Sequence, residues 1–120
     1  MKRIFTLSIV AIILAIGFAS CYKSYGDVNE DHWLTQERGE VVYSDPYCEY
    51  YVVQTNYGYN VLYSFGSYKP YEGALVYGNF STYGTREFYN RSTGRIFTAD
   101  VRDYWMNYYE AQEAIYFYCP

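Results

Sequence analysis

The sequence predicts an all-β domain with one short helix, built as a small antiparallel barrel or sandwich of about six strands. Two observations lead to this prediction. Short segments rich in Val, Thr, Tyr and Phe recur along residues 41–120, and clusters of Gly, Asn, Ser and Pro separate them. The chain also has 19 Tyr, which favour strands and bury large rings, and which offset its low aliphatic content.

The turn signals set the limits of the strands. Asn56-Tyr57-Gly58, Thr82-Tyr83-Gly84 and the segment 90–94 are typical hairpin connections, and Asp45-Pro46 interrupts the first strand. The predicted strands cover residues 41–43, 48–55, 59–65, 73–81, 85–89, 95–105 and 115–119. Pairing of the first of these strands with the last makes the topology loosely similar to an OB-type barrel.

One short helix is predicted near the end of the chain. Asn107 can cap it, and Glu110 stands three residues later, as in a capping box. Residues 111–114 have the best helix propensity in the domain. Residues 115–119 then alternate as in a strand, with Cys119 on the inward face.

The first 20 residues have the pattern of an export signal. Lys2 and Arg3 form a positive start, residues 4–18 are an apolar run, and the small residues Ala19 and Ser20 follow. A transmembrane anchor needs about 20 apolar residues, so this shorter run favours processing over a membrane span. Removal of the leader leaves one domain's length of chain, with 7 basic and 13 acidic residues and a net charge of −6.

The segment Phe18-Ala19-Ser20-Cys21 resembles the lipobox of bacterial lipoproteins, with Phe18 where Leu is usual. The resemblance covers only the leader and its cysteine. It implies that Cys21 is diacylated and becomes the mature N-terminus, and two or more acyl chains give stable membrane anchoring. Tyr22 rather than Asp follows Cys21, which by the same resemblance implies the outer membrane, in either its periplasmic or its surface leaflet.

Lipidation of Cys21 would leave Cys48 and Cys119 as the remaining cysteines of an exported protein. In an oxidising compartment these two residues are expected to form a disulfide. The disulfide is expected to tie the first strand of the sheet to its last.

Residues 21–40 are predicted to be an acidic, flexible tether, because their apolar residues follow neither a helical nor a strand period. A calcium loop is the alternative for the start of this segment, since Asp27, Asn29 and Asp31 match its first ligands. His32 replaces the required Gly, however, and Arg38 replaces the bidentate Glu, which favours the tether. The chain therefore divides into a leader at 1–20, a tether at 21–40 and a Tyr-rich β-domain at 41–120.

Several strands carry apolar or aromatic residues on both alternating faces, so one face forms the core and the other meets solvent or a partner. Two interpretations of the second face stay open. The rings form cross-strand ladders, or they form a contiguous binding surface suited to sugar rings or to a protein partner. The residues named for such a surface are Tyr51, Tyr77, Trp105, Tyr116 and Tyr118.

Catalysis is not expected from this sequence. The single histidine, His32, lies in the predicted tether, and no nucleophile elbow, phosphate loop, dinucleotide fingerprint or zinc motif occurs. No cofactor or metal site is predicted. A small hydrolase remains a third choice, because two pairs of carboxylates could do acid–base chemistry. One pair is Asp100 and Asp103, which are expected on opposite faces of a strand, and the other is Glu110 and Glu113.

The predicted function is a lipid-anchored, non-catalytic binding module of the bacterial envelope with a glycan or protein ligand. The alternative is a structural envelope protein or an accessory subunit without a small ligand. Nucleic acid is disfavoured because the acidic domain offers no basic stripe. Arg86, Arg91 and Arg95 fall near one predicted hairpin and are read as solvated turn residues, with an anionic glycan or lipid headgroup as the alternative.

Overall fold

The computed structural model describes residues 28–66 and 68–120. The predicted leader and Cys21 lie outside these residues. The described elements, in chain order, are α1 (Glu30–Trp33), β1 (Glu37–Ser44), β2 (Tyr50–Thr55), β3 (Gly58–Ser64), β4 (Leu75–Gly78), β5 (Gly84–Asn90), β6 (Arg95–Met106) and α2 (Tyr108–Tyr118).

The six strands form a closed antiparallel barrel in the order β1-β2-β3-β6-β5-β4, which confirms the predicted fold class. The barrel closes where β1 pairs with β4, with Glu37 opposite Gly78 and Glu40 opposite Leu75. Closure therefore comes from backbone hydrogen bonds and not from the cysteine pair. The barrel has six strands, whereas an OB-fold has five.

Apolar side chains fill the inside of the barrel, and a second, smaller cluster lies on its outer face. The inner cluster contains Tyr51, Phe80 and Phe88, which are fully buried, together with aliphatic residues of β1, β2, β3, β4 and β6 and of the loop before β4. The outer cluster forms around Val52, Val61 and Ala111, where α2 covers β2 and β3. Alternation along β2 explains both clusters, because successive side chains of a strand point to opposite faces.

The prediction of a strand at residues 115–119 is wrong, because α2 continues through Tyr118. The Asn107 and Glu110 capping box is present as predicted, with reciprocal hydrogen bonds of 2.8 and 3.0 Å. Ala111, Ala114, Ile115 and Tyr118 share one helical face and pack on the outer cluster. Burial of that face against the barrel favours the helix over the strand tendency of the Tyr-rich residues.

The predicted tether of residues 21–40 needs correction at its C-terminal end. Strand β1 begins at Glu37, so the boundary at 40 falls inside the barrel. Helix α1 is also held to the domain, because Glu30 forms an ion pair of 3.2 Å with Arg91 and Trp33 stacks on Tyr89.

Cys48 and Cys119 lie at disulfide-bonding distance, with their Cα atoms 5.8 Å apart. The elements that they join differ from the prediction. Cys48 belongs to the loop between β1 and β2, and Cys119 is the C-cap of α2. The disulfide thus fastens the end of the helix to the barrel instead of joining two strands.

Candidate functional site

Four aromatic rings form a contiguous, largely exposed group at one end of the barrel. This aromatic end cluster consists of Tyr57, Tyr83, Tyr104 and Trp105. Tyr57, Tyr83 and Trp105 keep 61%, 62% and 55% of their surface exposed, whereas Tyr104 is half-buried and also packs on the inner core. An exposed group of adjacent rings at the loop end of a barrel is a candidate binding surface.

The rings contact one another in a chain. Tyr57 stacks on Trp105 with their centroids 5.3 Å apart and their planes at 26°. Trp105 meets Tyr104 nearly at right angles at 5.8 Å, and Tyr104 meets Tyr83 edge-on at 4.7 Å. Such pairs restrain each ring, so the exposed surface is held before any ligand arrives.

Three separate segments bring these rings together because the antiparallel order puts their ends on the same side of the barrel. Tyr57 sits in the β2–β3 turn, Tyr83 in the β4–β5 loop, and Trp105 near the end of β6. Gly58 allows the close approach of the turn to β6. A Cβ atom at Gly58 would lie 2.7 Å from the Met106 carbonyl oxygen, and its φ of +134° disfavours other residues.

Trp105 has an unusual backbone conformation. Its φ is +58°, and no other non-glycine residue among those described has a positive φ. The buried Asn60 holds this conformation, because its Oδ1 accepts a hydrogen bond of 3.1 Å from the Trp105 N–H. Asn60 is itself fixed by donating from Nδ2 to the Val53 carbonyl at 2.9 Å. A bulky residue in this region costs conformational energy, and such outliers are frequent at binding sites.

Polar groups frame the aromatic end cluster. The Trp105 indole Nε1 donates to Ser81 Oγ at 2.7 Å, and Ser81 Oγ donates to Glu37 Oε2 at 2.9 Å. The Arg86 guanidinium donates to the carbonyl oxygens of Asn79, Thr82 and Tyr83 at 2.7 to 3.1 Å. Arg86 therefore organises the loop that carries Tyr83, and hydroxyl, amide and carboxylate groups border the rings.

The structure corrects part of the predicted aromatic surface. Tyr51 and Tyr77 are buried, so neither belongs to an exposed surface. Tyr51 lies inside the barrel because β2 turns that ring inward, and burial raises its pKa above the ordinary value. Tyr118 is half-buried in a ladder, stacked on Tyr50 at 4.2 Å, while Tyr50 contacts Tyr63 at 4.9 Å. Tyr50 and Tyr63 are thus a cross-strand pair, as in the ladder interpretation, and Tyr118 extends the pair from α2.

Trp105 and Tyr116 remain exposed, and they lie on different surfaces. Trp105 is the predicted residue that belongs to the aromatic end cluster, whereas Tyr116 is on α2. The sequence reasoning missed Tyr57, Tyr83 and Tyr104. Two of these, Tyr57 and Tyr83, are the central residues of predicted turns. Loops that lie at the same end of a barrel bring their residues together, and this was the signal that could have identified the pair.

The carboxylates that were considered for hydrolysis have other partners. Asp100 accepts hydrogen bonds from Arg102 and, at 3.3 Å, from Thr85, and Asp103 accepts one of 3.3 Å from Tyr118. The expectation that Asp100 and Asp103 face opposite sides is wrong. The β3–β6 register shifts between Val101 and Asp103. This irregularity interrupts the regular alternation, so that the side chains of Asp100 and Asp103 both lie on the outer face of the barrel.

The three arginines near the β5–β6 hairpin do not form one patch. Arg86 binds the β4–β5 loop, as described above. At the opposite end of the hairpin, Arg91 pairs with Glu30, and Arg95 lies over the Tyr68 ring at 4.4 Å. Each guanidinium is thus engaged within the domain. The prediction of solvated turn residues is wrong for Arg86 and Arg95, because these two lie on β5 and β6.

Within residues 28–66 and 68–120, no group of three or more His, Cys, Asp or Glu is arranged to hold a metal ion. The helices of this part of the chain are too short or too polar to cross a bilayer. Comparison with known proteins gives no match, since no protein-family model, no curated protein and no solved structure is significantly similar to this chain.

Proposed function

We propose that the domain is a non-catalytic glycan-binding module that stacks sugar rings on the aromatic end cluster. The observation that carries this proposal is the stacked and exposed pair Tyr57 and Trp105, beside Tyr83. Flat aromatic faces bind the apolar faces of pyranose rings, and nearby polar groups bind their hydroxyls.

The polar frame supports a glycan over an apolar peptide. The Ser81 hydroxyl and the Glu37 carboxylate are already linked by a hydrogen bond and lie next to the Trp105 indole. Their remaining acceptor capacity suits sugar hydroxyls. The acidic balance of the domain and the carboxylate of Glu37 favour an uncharged glycan.

Glycan binding is tested by titrating the protein with a panel of neutral and anionic polysaccharides under calorimetry. Trp105→Ala and Tyr57→Ala are expected to weaken binding by about tenfold or more, equal to about 1.4 kcal/mol. Tyr47→Ala and Tyr109→Ala are matched controls, because both tyrosines are exposed but lie outside the cluster. Equal losses in all four variants, or no binding to any polysaccharide, would overturn the glycan proposal.

A protein ligand is the second outcome of this test. If an envelope protein co-purifies with the wild-type domain and is lost on Trp105→Ala, while no polysaccharide binds, the aromatic end cluster is a protein interface. Tyr and Trp are enriched in such interfaces.

We also propose that the domain is carried on a lipid anchor at Cys21, at the bacterial outer membrane. The lipobox-like segment before Cys21 supports this proposal. Cys21→Ser should move the protein from the membrane fraction to the soluble fraction. Continued sedimentation of Cys21→Ser with membranes that have been washed in high salt would contradict the lipid anchor.

A further inference from the structure

A second concave surface lies between α2 and the outer face of the barrel, away from the aromatic end cluster. This helix–barrel cleft has a volume of about 380 Å³. Residues of β1, β2 and β3 form one wall, including Val42, Tyr43 and Tyr59, and one face of α2 forms the other. The volume falls at the lower end of the range for small-molecule sites, about 300–1,000 Å³.

An irregularity in β1 creates the barrel wall of the cleft. In the β1–β2 register, Val41 faces Val53 and Tyr43 faces Val52, so Val42 is an extra residue of a β-bulge. Val41 points into the barrel core, whereas both Val42 and Tyr43 line the cleft. The bulge therefore places two consecutive side chains on the outer surface, which regular alternation would not allow.

The position of α2 leaves this wall uncovered. The helix packs on β2, β3 and β6, and its small residue Ala111 is buried at the contact. Tyr108, Gln112 and Tyr116 stand at the helical spacing i, i+4, i+8 and line the side of the cleft that faces β1. The cysteine pair fastens the C-terminal end of the helix, so that end of the cleft is held.

The lining is apolar and uncharged, with hydrogen-bonding groups supplied by tyrosines and one amide. Of the residues that the structure describes, no Lys, Arg, Asp or Glu lines the cleft. Burial raises the pKa of Tyr43, and the carboxylates of Asp45 and Glu72 raise it further, so its phenol stays protonated. The same negative field, together with the negative end of the α2 dipole, disfavours an anion in the cleft.

We propose that the helix–barrel cleft binds an uncharged, mainly apolar small molecule of about two or three rings, with a polar group that reaches the tyrosine hydroxyls. This site is independent of glycan binding at the aromatic end cluster. The two surfaces share no residue, so each can be removed without the other.

Two fluorescent probes with the same ring system test the proposal. N-phenyl-naphthylamine is uncharged. Anilinonaphthalene sulfonate has the same rings and also carries a sulfonate group with one negative charge. The uncharged probe is expected to bind saturably with one site per chain, and the sulfonate at least about tenfold more weakly. No saturable binding of the uncharged probe, or equal affinity for the two probes, would overturn the proposal.

Variants locate the bound probe. Val42→Trp fills the cleft from the barrel wall and should weaken probe binding by about tenfold or more. Ile96→Trp is the matched control, since both residues lie on strands and are 38% exposed, and Ile96 does not line the cleft. The pair Gln112→Trp and Glu113→Trp repeats the comparison on α2, where both residues are exposed, in case Val42→Trp fails to fold.

Trp105→Ala distinguishes probe binding in the cleft from ligand binding at the aromatic end cluster. It should leave probe binding unchanged, because the aromatic end cluster does not line the cleft. Equal effects of Val42→Trp and Ile96→Trp, or loss of the probe in Trp105→Ala, would place the probe elsewhere and contradict the proposal.

Discussion

The buried amide of Asn60 accepts a hydrogen bond from the backbone N–H of Trp105, 45 positions further along the chain. This contact joins the interior of the barrel to the residue that carries the exposed indole of the aromatic end cluster. It also explains how a large residue keeps a φ of +58°, because the strained backbone gains a buried partner there.

Asn60→Ala is therefore expected to destabilise the fold and to loosen Trp105. The change leaves the Trp105 N–H and the Val53 carbonyl without their partner, which should lower the free energy of unfolding by about 1–3 kcal/mol. Urea unfolding measures this loss. Asn56→Ala in the exposed turn is the control, and an equal loss in both variants would contradict the role of Asn60.

Two Tyr→Phe changes should have opposite effects on stability. The Tyr51 hydroxyl is buried without a hydrogen-bond partner among the described residues, so Tyr51→Phe should raise the free energy of unfolding by about 1 kcal/mol. Tyr118→Phe removes a hydrogen bond to Asp103 and should lower it. Thermal and urea unfolding measure both, and a less stable Tyr51→Phe variant would show that this hydroxyl has a favourable contact.

Gly39 has no room for a side chain. A Cβ atom there would collide with Val53 Cγ1 and lie 3.4 Å from Phe80 in the inner core. Gly39→Ala should cost about 1–3 kcal/mol through overpacking. The cost should be smaller in a Val53→Ala background, where the colliding methyl group is gone, and a double-mutant cycle by urea unfolding measures the coupling. A coupling energy of zero would contradict the collision.

The cysteine pair should stabilise α2 more than it stabilises the barrel. The chain-entropy model assigns about 4 kcal/mol to a loop of this length, which spans 71 positions. The double change Cys48→Ser and Cys119→Ser should therefore speed amide hydrogen exchange in α2 first, because the β1–β4 pairing still closes the barrel. Cys21→Ser is the control, and equal acceleration in α2 and the strands would contradict this order.

Stability should fall as the pH rises above about 10. Burial raises the pKa of Tyr118, and the charge of Asp103 and its hydrogen bond raise it further. The folded state thus keeps this proton to higher pH than the unfolded chain, whose Tyr pKa is about 10. The resulting stabilisation is fully present below the pKa of the unfolded chain, and it is lost as the pH rises through the pKa of Tyr118 in the folded state.

Urea unfolding between about pH 8 and pH 11 measures this slope, and absorbance at the tyrosinate band follows the ionisation. Asp103→Asn keeps an acceptor for Tyr118 but removes the charge, so it should shift that titration to lower pH. Constant stability across the range would contradict the raised pKa.

Much of the fold was predictable because local patterns and burial agree in this chain. The turn signals at residues 56–58, 82–84 and 90–94 coincide with observed connections between strands, and each overlaps a strand by a single residue. The capping box at Asn107 was predictable for the same reason, since its hydrogen bonds join residues three positions apart. Residues 115–118 were not predictable as helix, because their Tyr-rich sequence favours a strand until α2 can bury a face on β2 and β3.

The candidate site was predictable only in part. Trp105 was identified as an exposed ring, but its partners Tyr57 and Tyr83 come from turns that sequence spacing cannot place in space. Tyr51 and Tyr77 were assigned to the surface because alternation identifies two faces of a strand without showing which one is inside.

The sequence alone determined the strand-rich class and the likeness of its leader to a lipoprotein signal, because both depend on local composition. That likeness in turn implied which two cysteines would pair. The tertiary structure decided how the barrel closes, that the last segment is a helix, and which rings meet at the end of the barrel. These features depend on contacts between residues far apart in the chain, such as Asn60 with Trp105 and Glu37 with Ser81. Burial of one face against another selects such contacts, and no local pattern encodes that choice.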